Sequence, residues 1–214
     1  LLFWQRDKLR TEVVVRHADA PRGSELAYLK LPVVWWCFAF FLLSTMTLAV
    51  IQSFAPSIMK AVHGVSVEVA TLTVSAYMLC GALGMLVGGF VAAANPMSSD
   101  RVVALAMSAG ALLLLVCATG WLGGQGTLVA LAITGFAVGV GGPSRDMMIK
   151  KATPKGATGR VYGTVYSGLD LGFALSPALF GLLMDRGWYA TTLAGAALVL
   201  GLSVVAAVGV GRRT

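Results

Sequence analysis

The chain has 214 residues, of which 57% are hydrophobic and 12% charged, with a mean hydropathy of +0.83. A soluble domain keeps roughly a quarter of its residues charged, so half that density cannot coat a water-facing surface, and long apolar blocks place the chain in the bilayer. The formal charge of +7 does not signal nucleic acid, because the basic residues fall between apolar blocks and not among aromatics on one face.

Taken in chain order, Leu1-Leu2-Phe3-Trp4 reads as the tail of an earlier membrane helix, so the chain is expected to be a piece of a longer protein. Residues 5–30 are polar, of mixed charge, and broken by Pro21-Arg22-Gly23-Ser24; with 1–4 they form the end of a helix plus a cytoplasmic linker. A six-helix bundle is predicted over 31–210. Its first block, 31–54, opens with Pro32 and the interfacial pair Trp35-Trp36. A short loop carrying Pro56, Lys60, His63 and Gly64 should follow, with His63 solvated. The remaining blocks are 67–94, 102–123, 126–148, 161–184 and 188–210, ahead of a tail at 211–214. Each approaches or exceeds the roughly 20 residues that cross a hydrocarbon core of about 30 Å, and only helices satisfy their own backbone there.

Of the 16 Lys and Arg residues, all but Lys60 and Arg186 fall on one side of this topology. The positive-inside tendency therefore puts both termini in the cytoplasm, which needs an even number of helices. Cys37, Cys80 and Cys117 sit inside apolar blocks at no metal spacing, so neither a disulfide nor a metal or other cofactor is expected.

Polarity inside the membrane is uneven. Helices three and six are almost wholly Ala, Leu, Val and Gly and read as lipid-facing. The others carry Ser44, Thr45, Thr47 and Gln52; Thr71, Thr73, Ser75 and Tyr77; Thr134; and Tyr162, Tyr166, Ser167 and Asp170. The order polar, polar, apolar repeats, as two three-helix inverted repeats with a peripheral third helix would show.

Asp170 falls about 14 Å into its block, where an unpaired carboxylate costs a few kcal/mol. Tyr166 and Tyr162 precede it by four and eight residues on one helical face, from which a phenol can donate to the carboxylate. The residue either binds a proton or substrate, with Ser167, Tyr77 and Gln52 as further candidates, or accepts a bond from a neighbouring helix and fixes packing. The flanking Gly168 and Gly172 permit close helix contact and suit the second role as well. In GVGGPSRD (139–146), Pro143 should loosen or kink helix four. Arg145 and Asp146 then form either a gating ion pair or interfacial charges that snorkel. Asp100-Arg101 starts helix three as a cap, with a gating salt bridge as the other role. An enzyme is not expected: His17 and His63 lie outside the blocks, and no HExxH, CxxC or phosphate-cradling motif is present.

The stretch GALGMLVGGFVAAANPMSSDRVV (81–103) resembles the loop signature that major facilitator transporters repeat after the second helix of each half. GVGGPSRDMMIKKATPKGATGRVYGTVYSGLDLGFALSPALFGLLMDRG (139–187) is similar to the fourth-to-fifth helix region in the C-terminal half of bacterial members. The resemblance implies an all-α membrane fold, helices seven to twelve of twelve, in a bacterial inner membrane. It further implies alternating access of a small-molecule substrate, in many members with protons, around a cavity shared with an N-terminal six-helix half. A non-transporting six-helix membrane subunit or scaffold is the alternative.

Overall fold

The computed structural model describes residues 27–94, 98–153 and 158–212; the expectations for the tail beyond Arg212 and for the linker up to residue 26 lie outside them. A 3-10 turn, Ala27–Lys30, leads into six helices: α1 (Pro32–His63), α2 (Val67–Ala94), α3 (Ser99–Ala118), α4 (Gly123–Ala152), α5 (Thr158–Asp185) and α6 (Tyr189–Gly211). All six are long and apolar enough to cross a membrane, and no strand occurs among the described residues.

The expected loop after the first block is not a loop. Helix α1 continues through Pro56 to His63 and stops at Gly64, whose φ of 61° lets its N–H reach the Lys60 carbonyl at 3.0 Å. Proline at position 56 removes one backbone donor, which membrane helices tolerate where neighbouring helices compensate. Likewise α4 runs unbroken through Pro143 and past Lys150 and Lys151, so the proline does not end the helix. Helix α3 begins after Ser98, with no side-chain cap bond, and Asp100 lies within its first turn.

Helices α1 and α4 form the middle of the bundle. The first packs on α5 and α6, the second on α2 and α3, and α3 meets α6. Exchanging α1–α3 for α4–α6 turns the α1–α5 contact into α4–α2 and α1–α6 into α4–α3, while α3–α6 maps onto itself. Units of three helices start on opposite sides of the membrane, so this is the contact pattern of an inverted repeat.

Helices α3 and α6 are not simply lipid-facing. Each buries one side, through Met107, Leu114 and Cys117 or through Leu193, Leu200 and Val210, and exposes Leu105 and Leu112 or Leu198 and Val205 on the other. Alanine- and glycine-rich faces let them back closely onto the middle pair. The most open helices are α2 and α5, on the opposite side; Phe90 of α2 is 78% exposed.

Small residues set the helix spacing. A β-carbon added at Gly84, Gly88, Gly135 or Gly139 would run into the carbonyl oxygens of Phe136, Val140, Tyr77 and Gly81 respectively, so α2 and α4 cross backbone on backbone. At the α1–α5 crossing, Gly168 and Gly172 face the carbonyls of Phe38 and Leu42, and a β-carbon at either would lie 2.8 Å away. Ser176 Oγ donates to the Met46 carbonyl at 2.9 Å across the same seam, and Thr47 Oγ1 donates to that of Ala196 at 3.0 Å, joining α1 to α6.

Candidate functional site

The open side of the bundle is framed by α2 and α5, with α1 and α4 as its floor. Arg145 of α4 lies on this floor. Its guanidinium carbon stands 4.8 Å from the centre of the Phe41 ring on α1, and its Nε donates to Asp146 Oδ1 at 3.1 Å. The cation thus faces the negative surface of a ring that is itself fully buried. Arg145 keeps 21% of its side chain exposed and Asp146 50%, so the pair is reachable from the open side.

From Phe41 an aromatic ladder leads to α5. Tyr166 tilts against Phe41 with centroids 5.2 Å apart, and Tyr162 stacks on Tyr166 at 5.8 Å. On the other flank of Arg145 a cavity of about 250 Å³ opens between α1, α2 and α4, walled by Leu48, Tyr77, Met78 and Met85 and by the side-chain-free faces of Gly81 and Gly139. Gln52 lies higher on α1 and turns its amide towards the Met78 sulfur, 3.4 Å away. Tyr77 is almost wholly buried and forms both part of the cavity wall and part of the α2–α4 seam.

Asp170 lies about 18 Å along α5 from Thr158, near the middle of a 28-residue helix. The buried stripe of α5 is Val161, Val165, Gly168, Gly172, Ser176 and Phe180. At 100° per residue Asp170 stands opposite that stripe, and it is exposed. The expected phenol-to-carboxylate bond does not form: Tyr166 turns its ring to Phe41, because successive residues four apart drift around the helix by about 40°. Nor does another helix of this bundle hold Asp170, which has no hydrogen-bond or ion-pair partner among the described residues. Ser167 donates to the carbonyl of Thr164 at 2.7 Å, so its proton is spent on its own helix.

The residues considered for gating divide into two places. Pro143, Arg145 and Asp146 share one stretch of α4 on the open side. Asp100 lies against Gly211 at the end of α6, beside a separate recess shared with Met148 and Lys151, and Arg101 is exposed. No ion pair joins Asp100 to Arg101 among the described residues.

Two features were not legible beforehand. Phe41 sits in an unbroken apolar run with nothing in its spacing to mark it as the seat of a cation. His63 is not merely solvated: its Nε2 lies 3.1 Å from Thr127 Oγ1, tying the end of α1 to the start of α4. Thr127 lies in a polar turn of α4 that an apolar-block reading passes over.

Six membrane-length helices among the described residues, in a repeated three-helix pattern, define a multi-pass membrane protein. The sequence model of the Major Facilitator Superfamily matches residues 26–213. The chain belongs to that superfamily, whose members are transporters of small molecules across the lipid bilayer and not enzymes. No curated protein matches it.

Proposed function

We propose that the chain is the C-terminal half of a proton-coupled secondary transporter that moves a small molecule by alternating access, its open side facing an N-terminal six-helix half. Both termini lie in the cytoplasm of a bacterial cell, and the bundle spans its inner membrane. Asp170 carries the reading. A carboxylate at mid-length of a membrane helix costs a few kcal/mol among acyl chains. With no partner among the described residues, it calls for water or a second bundle on the side it faces. A wet cavity between two halves supplies both, and a carboxylate there takes up and releases protons as access alternates. The Arg145–Asp146 pair lies towards the cation-rich end and serves as the inner gate, re-forming contacts across the two halves as they rock.

The test is accumulation of a panel of labelled organic anions, organic cations and sugars by cells expressing the protein together with the six helices proposed to precede it. Uptake or export of one class should collapse with the proton gradient. Asp170→Asn should abolish the coupled flux at unchanged membrane abundance. Undiminished, gradient-dependent flux in that variant would remove Asp170 from the mechanism.

A further inference from the structure

We infer that the surface around Arg145 is a subsite for an organic anion with a flat apolar body, held at its acid group by the Arg145 fork, which Phe41 seats from beneath, and along its body by the cavity wall; this rests on the transport reading above and names its substrate class.

The argument begins with what Arg145 leaves unused. A guanidinium presents five N–H donors in a planar fork. Asp146 takes Nε, and the terminal nitrogens have no partner among the described residues. They are not sealed in, since no buried side-chain nitrogen or oxygen is left without a bond among the described residues. A carboxylate, sulfonate or phosphonate matches two parallel N–H donors, which a point-charge ammonium would not favour as strongly. The Phe41 ring beneath and the bond to Asp146 hold the guanidinium in place, so little side-chain freedom is lost on binding.

The surroundings determine the rest of the molecule. Leu48, Met78 and Met85 are apolar, and among the described residues the only polar side chains on the 250 Å³ cavity are Arg145 and the nearly buried Tyr77. A sugar, with hydroxyls all round, would leave most of them unpaired against such walls. An aryl or alicyclic body loses nothing there, and Tyr166, 37% exposed beside the buried Phe41, adds a ring edge on the same open side. Arg145 does not behave as a snorkelling cation either. Its head is held over a buried ring and against the cavity, with less than half the fractional exposure of Asp146 beside it.

Binding to the full chain in nanodiscs tests this with four probes: 2-naphthoate, 2-naphthylmethylammonium, 2-naphthamide and glucose 6-phosphate. The naphthoate should bind at least about tenfold tighter than the ammonium and the amide of the same body, and than the polar phosphate. Arg145→Gln should weaken naphthoate by about tenfold or more while Arg145→Lys keeps part of the affinity, and Phe41→Leu should cost a few-fold. The melting temperature of each variant, matched to that of the parent, separates loss of the subsite from loss of the fold. Equal binding of the ammonium, preference for glucose 6-phosphate, or Arg145→Gln without effect would overturn the subsite. Naphthoate binding through Arg145 in a protein that moves nothing would instead sink the transport reading and leave the subsite standing.

Discussion

Gly139 of α4 rests directly against the carbonyl of Gly81 on α2, with no space for a side-chain carbon between the two helices. The same holds at Gly84, Gly88 and Gly135, so the α2–α4 seam is set by four absent side chains. Here a β-carbon would meet backbone, which cannot swing aside. We expect Gly84→Ala or Gly139→Ala to cost about 1–3 kcal/mol and to lower the yield of monodisperse protein in detergent. Gly89→Ala lies on the same helix with nothing within 4 Å of the added carbon and should change stability by less than about 0.5 kcal/mol. Thermal unfolding followed by size-exclusion fluorescence separates the two cases. Equal melting temperatures for Gly139→Ala and Gly89→Ala would mean that the seam is looser than the structure has it.

How much of this was legible in the sequence differs between levels. Six membrane-length helices follow from hydrocarbon thickness and backbone satisfaction alone, and the all-helical class stands on them. Pro56 misled because proline is a breaker in water, whereas a membrane bundle tolerates it and α1 continues to His63. Apolar composition similarly suggested that α3 and α6 are peripheral. Lipid and bundle interior are equally apolar, so composition cannot tell the exposed Leu112 from the buried Leu114 two residues away. At the site, Asp170 stood out because charge is rare at depth, and Arg145 because it follows the proline of GVGGPSRD near the end of its helix. Phe41 and the Thr127–His63 contact depend on which helix lies beside which, and no periodicity within one helix carries that.

The hydrogen bonds between helices should each be worth little. Ser176 and Thr47 donate to carbonyls that already accept within their own helices, so removing either donor strands no acceptor. Double-mutant work on membrane helices averages near 0.6 kcal/mol for such bonds. Ser176→Ala and Thr47→Val should each lose about that amount in reversible unfolding from detergent by SDS titration, and together about twice it, because they join different helix pairs. A loss above about 2 kcal/mol for either one would show that these bonds anchor the bundle, and that the close glycine contacts do not.

Thr127 and His63 present the opposite case. Thr127 is buried, and its hydroxyl is the partner of a half-buried ring nitrogen at 3.1 Å. Thr127→Val keeps the volume and leaves that nitrogen without its partner, which should cost about 1 kcal/mol. In the double variant Thr127→Val with His63→Leu, both polar ends are gone and part of the loss should return. Unfolding free energies of the two single variants and the double give the coupling directly; strict additivity would show that the contact contributes nothing.

Asp170 has a consequence that needs no known substrate. A thiol reacts with a charged alkylating reagent only as the thiolate, which forms in water and is suppressed among acyl chains. Of the native cysteines, Cys37 and Cys117 are buried, and Cys80 on α2 is half-buried and is best replaced by serine first. In that background, Asp170→Cys in native membranes should be labelled readily by a membrane-impermeant sulfonated thiol reagent applied to the accessible side. Leu198→Cys, on the exposed outer face of α6, should resist it although both positions are open in the isolated bundle. The contrast arises because Asp170 stands on the side proposed to border an aqueous cavity, while Leu198 meets lipid on the opposite side. If Asp170→Cys proves as inert as Leu198→Cys from either side of the membrane, the carboxylate faces hydrocarbon, and the wet-cavity account fails with it.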